Sequence, residues 1–115
     1  MEYPKLYITS FRADETDTDK VMIYRAANPH PRMIPLDTVG GARAYAQALL
    51  FGPGGYLFVP ISGTGADTGA VRRYDVYNLL SFDNFVPPNA VGGALGSPWY
   101  LTFSMTDPAT LNYRQ

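Results

Sequence analysis

The residues of this chain with the clearest chemical potential are four carboxylates in one short stretch: Asp14, Glu15, Asp17 and Asp19. Oxygen ligands that alternate along a loop can hold Ca²⁺, so Asp14, Asp17 and Asp19 are candidate metal ligands. The stretch lacks the glycine at the sixth position and the final glutamate of an EF-hand loop. Basic residues also flank it on both sides. This pattern favours the alternative, a solvated acidic loop that forms a turn.

The single histidine suggests a second chemistry, general base catalysis. His30 stands between Pro29 and Pro31. A base needs a nucleophile and an orienting carboxylate, and the spacing of residues around His30 supplies neither. The chain has no cysteine, which excludes disulfides, thiolate catalysis and cysteine-ligated zinc. We therefore assign no catalytic residue and interpret His30 as a surface residue.

Aromatic and polar side chains offer a third chemistry, the binding of a ligand. Trp99 follows Pro98 at the start of a β-type segment. Indole faces stack well on sugars and on cations. The residues that we predict to bind a ligand are Trp99, Tyr100 and Gln47, with Arg73 as their polar partner. The competing interpretations are interior packing for Trp99 and a salt bridge for Arg73.

An internal duplication of about 50 residues determines where these side chains stand. Leu6-Tyr7-Ile8 returns as Leu57-Phe58-Val59, and Gln47 stands at the repeat position of Trp99. Repeats of this length are typical of propellers and related architectures, in which one unit cannot bury its own apolar faces. We treat the chain as a single two-repeat unit, with repeats at about 5–55 and 56–109 and a short tail at 110–115.

Each repeat breaks into four short segments that are rich in β-branched and aromatic residues and bounded by turn formers. The predicted strands are 5–11, 21–25, 32–36, 48–51, 56–61, 70–76, 84–86 and 99–103. Residues 41–50 have local helical character, but their counterpart contains Gly96 and Pro98, which disfavour a helix. Pro35 and Pro87 place the third segment of each repeat at a sheet edge. The predicted fold class is all-β, with two four-stranded blades in each chain.

The strands and turns resemble those of a known propeller family. Residues 50–59 (LFGPGGYLFV), followed by residues 69–75 (GAVRRYD), resemble the NHL/SMP-30-type six-bladed β-propeller repeat. The resemblance covers nearly all of the chain and implies the propeller fold, but it implies much less about chemistry. Lactonases of this family use scattered Glu, Asn and Asp ligands. The two glutamates here, Glu2 and Glu15, do not stand at the starts of inner strands.

The order of the segments leaves both ends of the unit open. The chain begins on the second strand of a blade and ends after a first strand, and unpaired sheet edges promote association. We expect copies to assemble head to tail, so that a homotrimer forms a ring of six blades. Some propeller lectins are built from two-blade chains in this way. The alternative is a fragment of a longer propeller.

Composition narrows the classes of partner. The chain is 46% hydrophobic and 17% charged, as expected of a globular protein. Its net charge is −1 and no run of Lys or Arg is present, which argues against nucleic acid and against an anionic membrane surface. No apolar run approaches the roughly 20 residues that cross a bilayer. Without a signal peptide, the sequence as written predicts a cytoplasmic protein, a prediction that lapses for a fragment.

These observations together predict a non-catalytic, lectin-like binding protein. A ring of several copies would bind a carbohydrate or another small polar ligand. The alternatives are a protein-interaction scaffold and a fragment of an SMP-30/lactonase-like enzyme, so the question of enzymatic activity stays open. No cofactor is predicted, with Ca²⁺ at the acidic loop as the one candidate.

Overall fold

The computed structural model describes residues 5–25, 28–64, 69–76, 81–88 and 95–104. These residues form β-strands and one short 3₁₀ turn at Pro53–Gly55, with no α-helix among them. The strands are β1 (Lys5–Ser10), β2 (Lys20–Arg25), β3 (Asn28–Pro35), β4 (Leu50–Phe51), β5 (Leu57–Ile61), β6 (Ala70–Tyr74) and β7 (Phe82–Val86). The predicted all-β class is confirmed.

The strands form two antiparallel sheets in which sequence neighbours pair. Sheet one has the order β1-β2-β3, and sheet two has the order β4-β5-β6-β7. Sheet two has the four strands predicted for a blade, whereas sheet one has three, because β4 pairs with β5, as expected for a chain that begins on the second strand of a blade. Residues 99–103, the predicted eighth strand, join no ladder within the described residues. Pro35 ends β3, which is an edge strand as predicted.

Sheet one has two apolar faces, of which one lies in the core and the other carries exposed side chains. Successive residues of a strand point to opposite faces. Register pairs Tyr7 with Ile23 and Val21 with Ile34, and this inner face lies in the core. The outer face carries exposed apolar side chains: Leu6, Ile8, Tyr24 and Met33.

The core lies between the inner face of sheet one and one face of sheet two. Sheet two contributes Leu57, Val59 and Tyr74, each about fully buried, and the segment before β4 contributes Ala44 and Ala46. Every residue of β5 is buried. Because its residues alternate between faces, the opposite face of sheet two must also be covered, at least around β5.

The turns follow the chemistry expected from the sequence. Gly54 and Gly55 have φ values of 77° and 78°, in the left-handed region that glycine adopts without strain. Asp14 accepts hydrogen bonds from the backbone and hydroxyl of Thr16, as an Asx turn does. Residues 41–49 are irregular and lead into β4, as predicted. The repeat counterparts of Asp17 and Thr18 are Asp67 and Thr68, which lie outside the described residues.

One packing contact occurs twice, at positions that the duplication relates. The rings of Tyr7 and Phe51 meet edge to face with centroids 4.9 Å apart. The rings of Phe58 and Phe103 meet in the same way at 5.0 Å. Segment 95–104 therefore covers the outer face of sheet two. The segment that leads into β4 covers the inner face of sheet one in the same way.

A glycine leaves room for this second contact, which yields a stability prediction. A Cβ atom at Gly52 would lie 2.5 Å from the ring of Phe103 and 2.8 Å from that of Phe58. The backbone there is extended, with φ of −131°, so only space opposes a side chain. We expect Gly52→Ala to lower the free energy of unfolding by about 1–3 kcal/mol, as overpacking does. Urea denaturation measures this loss.

The matched control for Gly52→Ala is the same substitution in a Phe103→Ala background. Removing the Phe103 ring relieves the closest contact, so the loss there should be smaller. An equal loss in both backgrounds would show that segment 95–104 does not occupy this position.

Candidate functional site

A buried carboxylate organises the region between the two sheets. Asp19 is fully buried beside the start of β2. Its Oδ1 accepts hydrogen bonds from the backbone N–H of Arg12 (2.8 Å) and from Nη2 of Arg43 (2.6 Å). Its Oδ2 accepts one from the backbone N–H of Tyr45 (2.9 Å). A buried charge is tolerated when it is paired and hydrogen-bonded in this way.

A second carboxylate extends this arrangement. Oδ1 of Asp37 accepts a hydrogen bond from the backbone N–H of Asp19 (3.0 Å) and lies 3.0 Å from Nη2 of Arg12. Its Oδ2 accepts one from the backbone N–H of Ala44 (2.9 Å). The two aspartates therefore tie the segment after β3 to the hairpin of β1 and β2. We call Arg12, Asp19, Asp37 and Arg43 the charge network.

The electrostatics of the charge network favour charged side chains at neutral pH. Burial by itself would raise the pKa of Asp19, but hydrogen bonds from Arg43, Tyr45 and Arg12 outweigh it and lower that pKa. The hydrogen bond to Asp19 in turn raises the pKa of Arg43. Neither group exchanges protons near neutral pH, so the pair is suited to structural support and not to acid–base catalysis.

The charge network forms one wall of a cleft between the sheets. This inter-sheet cleft has a volume of about 600 Å³. Its polar lining residues are Asp37, Thr38, Arg43, Thr64, Arg72 and Tyr74. Phe82 adds an aromatic ring that is 47% exposed. Polar groups beside an exposed ring can contact a small polar ligand.

Arg72 joins the two walls of the inter-sheet cleft. Its Nη1 donates to the carbonyl oxygen of Leu36 (2.6 Å) and to the hydroxyl of Tyr74 (3.0 Å). Its guanidinium lies over the ring of Phe82, 4.7 Å from the centroid. Burial raises the pKa of Tyr74, although Arg72 opposes the shift, so this hydroxyl stays neutral. Among the described residues, both of these hydrogen bonds use Nη1.

The predicted ligand-binding residues lie apart from this cleft. Trp99 and Tyr100 are 53% and 72% exposed on segment 95–104, and Gln47 is exposed before β4. Arg73 makes a two-pronged ion pair with Asp83, through Nε (3.1 Å) and Nη2 (2.7 Å). In the described part of the chain, no hydrogen bond, ion pair or ring contact joins these four candidates to each other. Their role in ligand binding stays a prediction.

The ion pair of Arg73 lies within sheet two, between β6 and β7. The guanidinium also lies over the rings of Tyr56 (5.0 Å) and Phe85 (5.1 Å). This arrangement is a cross-strand salt bridge inside one sheet. The hydrogen bond from Arg73 lowers the pKa of Asp83, so the pair persists at neutral pH.

The three candidate calcium ligands point to different partners. The carboxylate of Asp14 accepts hydrogen bonds from Thr16, and that of Asp17 pairs with Nζ of Lys20 at 2.6 Å. Asp19 points inward to the charge network. Among the described residues, no three acidic or histidine side chains form a group that could hold a metal ion.

The inter-sheet cleft is the feature that sequence reasoning missed. Its residues come from distant parts of the chain, and Asp37, Thr64 and Phe82 carry no local signal. Arg72 did carry a local signal, because it stands in β6 at the position where the first repeat has Met22. A charged residue at an apolar repeat position marks a place where the two sheets differ.

Comparison with models of known families, with curated proteins and with solved structures gives no match. The resemblance to the NHL/SMP-30 repeat therefore stays a prediction, as do the division into two repeats and the cytoplasmic location. In the residues that the structure describes, no helix is long and apolar enough to span a membrane.

Proposed function

We propose that this chain is a subunit of a closed β-propeller ring that binds a small polar ligand, such as a carbohydrate, without catalysis. The observation that carries the proposal is a correspondence between surfaces. Inside the chain, the inner face of sheet one packs on the inner face of sheet two. The duplication relates each of these inner faces to the outer face of the other sheet.

The inner face of sheet one corresponds to the outer face of sheet two. Tyr7 and Val21 lie on the inner face of sheet one, and the duplication relates them to Phe58 and Val71. By strand alternation, Phe58 and Val71 lie on the face of sheet two that points away from the core. The outer face of sheet two therefore resembles the inner face of sheet one. It can pack on a neighbouring copy as the inner face of sheet one packs on sheet two.

The reverse correspondence also holds. Sheet two packs on sheet one through residues that include Leu57 and Val59, which the duplication relates to Leu6 and Ile8. Leu6 and Ile8 lie on the outer face of sheet one and are 59% and 40% exposed. A second copy can cover them with the outer face of its sheet two, in a head-to-tail contact. Such contacts form closed rings when the rotation closes.

The missing strand of sheet one gives this contact a specific register. In sheet two, Leu50 and Phe51 of β4 pair with Phe58 and Leu57 of β5. Shifted by the repeat, Thr102 and Phe103 of one copy would pair with Tyr7 and Leu6 of the next. Addition of a strand to the free edge of β1 supplies main-chain hydrogen bonds to the assembly.

The solution mass tests the ring. We expect light scattering after size exclusion to give a particle near three times 12.6 kDa, which corresponds to six blades. The physical reason is that each copy has one donor face and one acceptor face, so only closure satisfies both. A particle of 12.6 kDa at high concentration would contradict a ring made of copies.

The inter-sheet cleft supports the ligand class. Arg72, Thr38 and Thr64 provide hydrogen-bond donors and acceptors, and Phe82 provides a ring face. Sugars are bound by this combination of polar groups and aromatic stacking. The charge network holds one wall in place before binding, which reduces the entropy lost when a ligand binds.

Titration of single sugars identified on a glycan array tests the cleft. We expect Phe82→Ala to weaken binding roughly three- to tenfold, as loss of one stacked ring does. Asn84→Ala is the matched control, because Asn84 lies on the same strand outside the cleft lining. Trp99→Ala tests the residue that the sequence singled out. Loss of sugar binding in Trp99→Ala but not in Phe82→Ala would show that the site lies on segment 95–104.

A protein-interaction scaffold is the second candidate function. The exposure of Trp99, Tyr100 and Phe85 around the outer face of sheet two favours it. A chain that forms no ring and binds no glycan on the array would support this function over the first.

A further inference from the structure

A second cleft, at the end of sheet one that faces sheet two, is basic. It has a volume of about 180 Å³, and its lining includes Lys5, Tyr7, Arg25, His30, Arg32 and Val76. We propose that this basic cleft binds the phosphate group of a small phosphate monoester. The inference is independent of the ring and of the inter-sheet cleft.

Strand register places the cations on one face. Lys5 on β1 stands directly opposite Arg25 on β2, and Arg32 on β3 stands opposite Ile23. Because Ile23 lies in the core, its alternation partner Arg25 shares the inner face of sheet one. Going along β2, this face changes from apolar to basic at the end of the sheet.

Lys5 and Arg25 are both exposed, and a bound anion would relieve a modest repulsion between their charges. Like charges directly opposite each other across a ladder are destabilising. Among the described residues, the cleft lining contains no Asp or Glu. The ion pairs among the described residues involve Arg12, Lys20, Arg43 and Arg73, and not Lys5, Arg25 or Arg32. One third of the nine Lys and Arg residues of a chain with net charge −1 thus meet at one cleft.

The chemistry of the lining favours a phosphate group. Guanidinium groups donate two parallel hydrogen bonds to phosphate oxygens, and an ammonium group adds a point charge. Arg25, Arg32 and Lys5 offer these groups from three adjacent strands. Tyr7 and Val76 give the cleft an apolar side, against which the carbon part of a small ester would lie.

Isothermal titration of the full chain at low ionic strength tests this proposal, with inorganic phosphate and glycerol 3-phosphate as probes. We expect saturable binding of one anion per chain. Arg25→Gln should weaken it about tenfold to hundredfold, the range for loss of a charged hydrogen bond. Lys5→Gln, at an exposed position, should also weaken phosphate binding, and this second variant checks the result.

Lys20→Gln is the matched control, because Lys20 stands at the other end of β2 and pairs with Asp17. If Lys20→Gln weakens phosphate binding equally, the effect depends on net charge alone and the proposal is overturned. Absence of saturable binding by the wild type would also overturn it. Binding only to vesicles of phosphatidylcholine with phosphatidate would overturn the proposal as well. A surface of the protein, and not the cleft, would then recognise the phosphate.

Discussion

Replacement of Asp19 by asparagine is expected to lower the free energy of unfolding by about 3–5 kcal/mol, the range for breaking a buried ion pair. Three hydrogen bonds reach this carboxylate, one of them from the guanidinium of Arg43 at 2.6 Å. An asparagine keeps one acceptor oxygen but turns an amide donor toward other donors. The side chain of Arg43 would then lose its charged partner in a part-buried site.

Urea denaturation followed by tyrosine and tryptophan fluorescence measures this loss. Asp17→Asn is the matched control, because Asp17 lies in the same loop but pairs with Lys20 nearer the surface. The Asp17–Lys20 pair is part-buried, with Lys20 14% and Asp17 27% exposed, so its loss should cost less than that of the pair of the fully buried Asp19. Similar losses in the two variants would show that the charge network does not hold the sheets together.

The same carboxylate predicts how stability depends on pH. The folded-state pKa of Asp19 lies below its ordinary value of 3.8, so its stabilisation is complete above that pH. Stability is lost as the pH falls from about 3.8 through the lower folded value, because the unfolded chain binds the proton first. We expect Asp19→Asn to lack this part of the acid dependence. Denaturation curves at pH 3 to 7 compare the two slopes.

Two variants that disrupt opposite faces are expected to complement each other. Leu6→Glu places a charge on the outer face of sheet one, and Phe85→Glu places one on the outer face of sheet two. Each variant by itself should be monomeric, because a carboxylate in an apolar interface costs several kcal/mol. Mixed in equal amounts, they should form a dimer near twice 12.6 kDa through the one intact pair of faces.

The mixing result separates a head-to-tail interface from a symmetric one. In an isologous dimer, the same patch meets itself, so one of the two variants would keep the wild-type mass. A mixture that stays monomeric would contradict the correspondence between the faces. Phe82→Ala, on the inner face of sheet two, is the control and should leave the wild-type mass unchanged.

Turn chemistry and strand periodicity determined much of this fold from the sequence alone. Gly54 and Gly55 take positive φ because they have no Cβ, and Pro35 ends an edge strand because proline cannot donate to a ladder. The seven strands lie close to the predicted segments, since alternating apolar residues need only their own neighbours to form a half-buried strand. The all-β class follows from these local effects.

Tertiary structure alone decided which charges meet. Asp19 reaches Arg43 across 24 positions, and Arg72 reaches Leu36 across 36. In sequence, Asp19 looks like its solvated neighbours Asp14 and Asp17. Burial separates them, and burial is a property of the packed sheets and not of the loop that carries these residues.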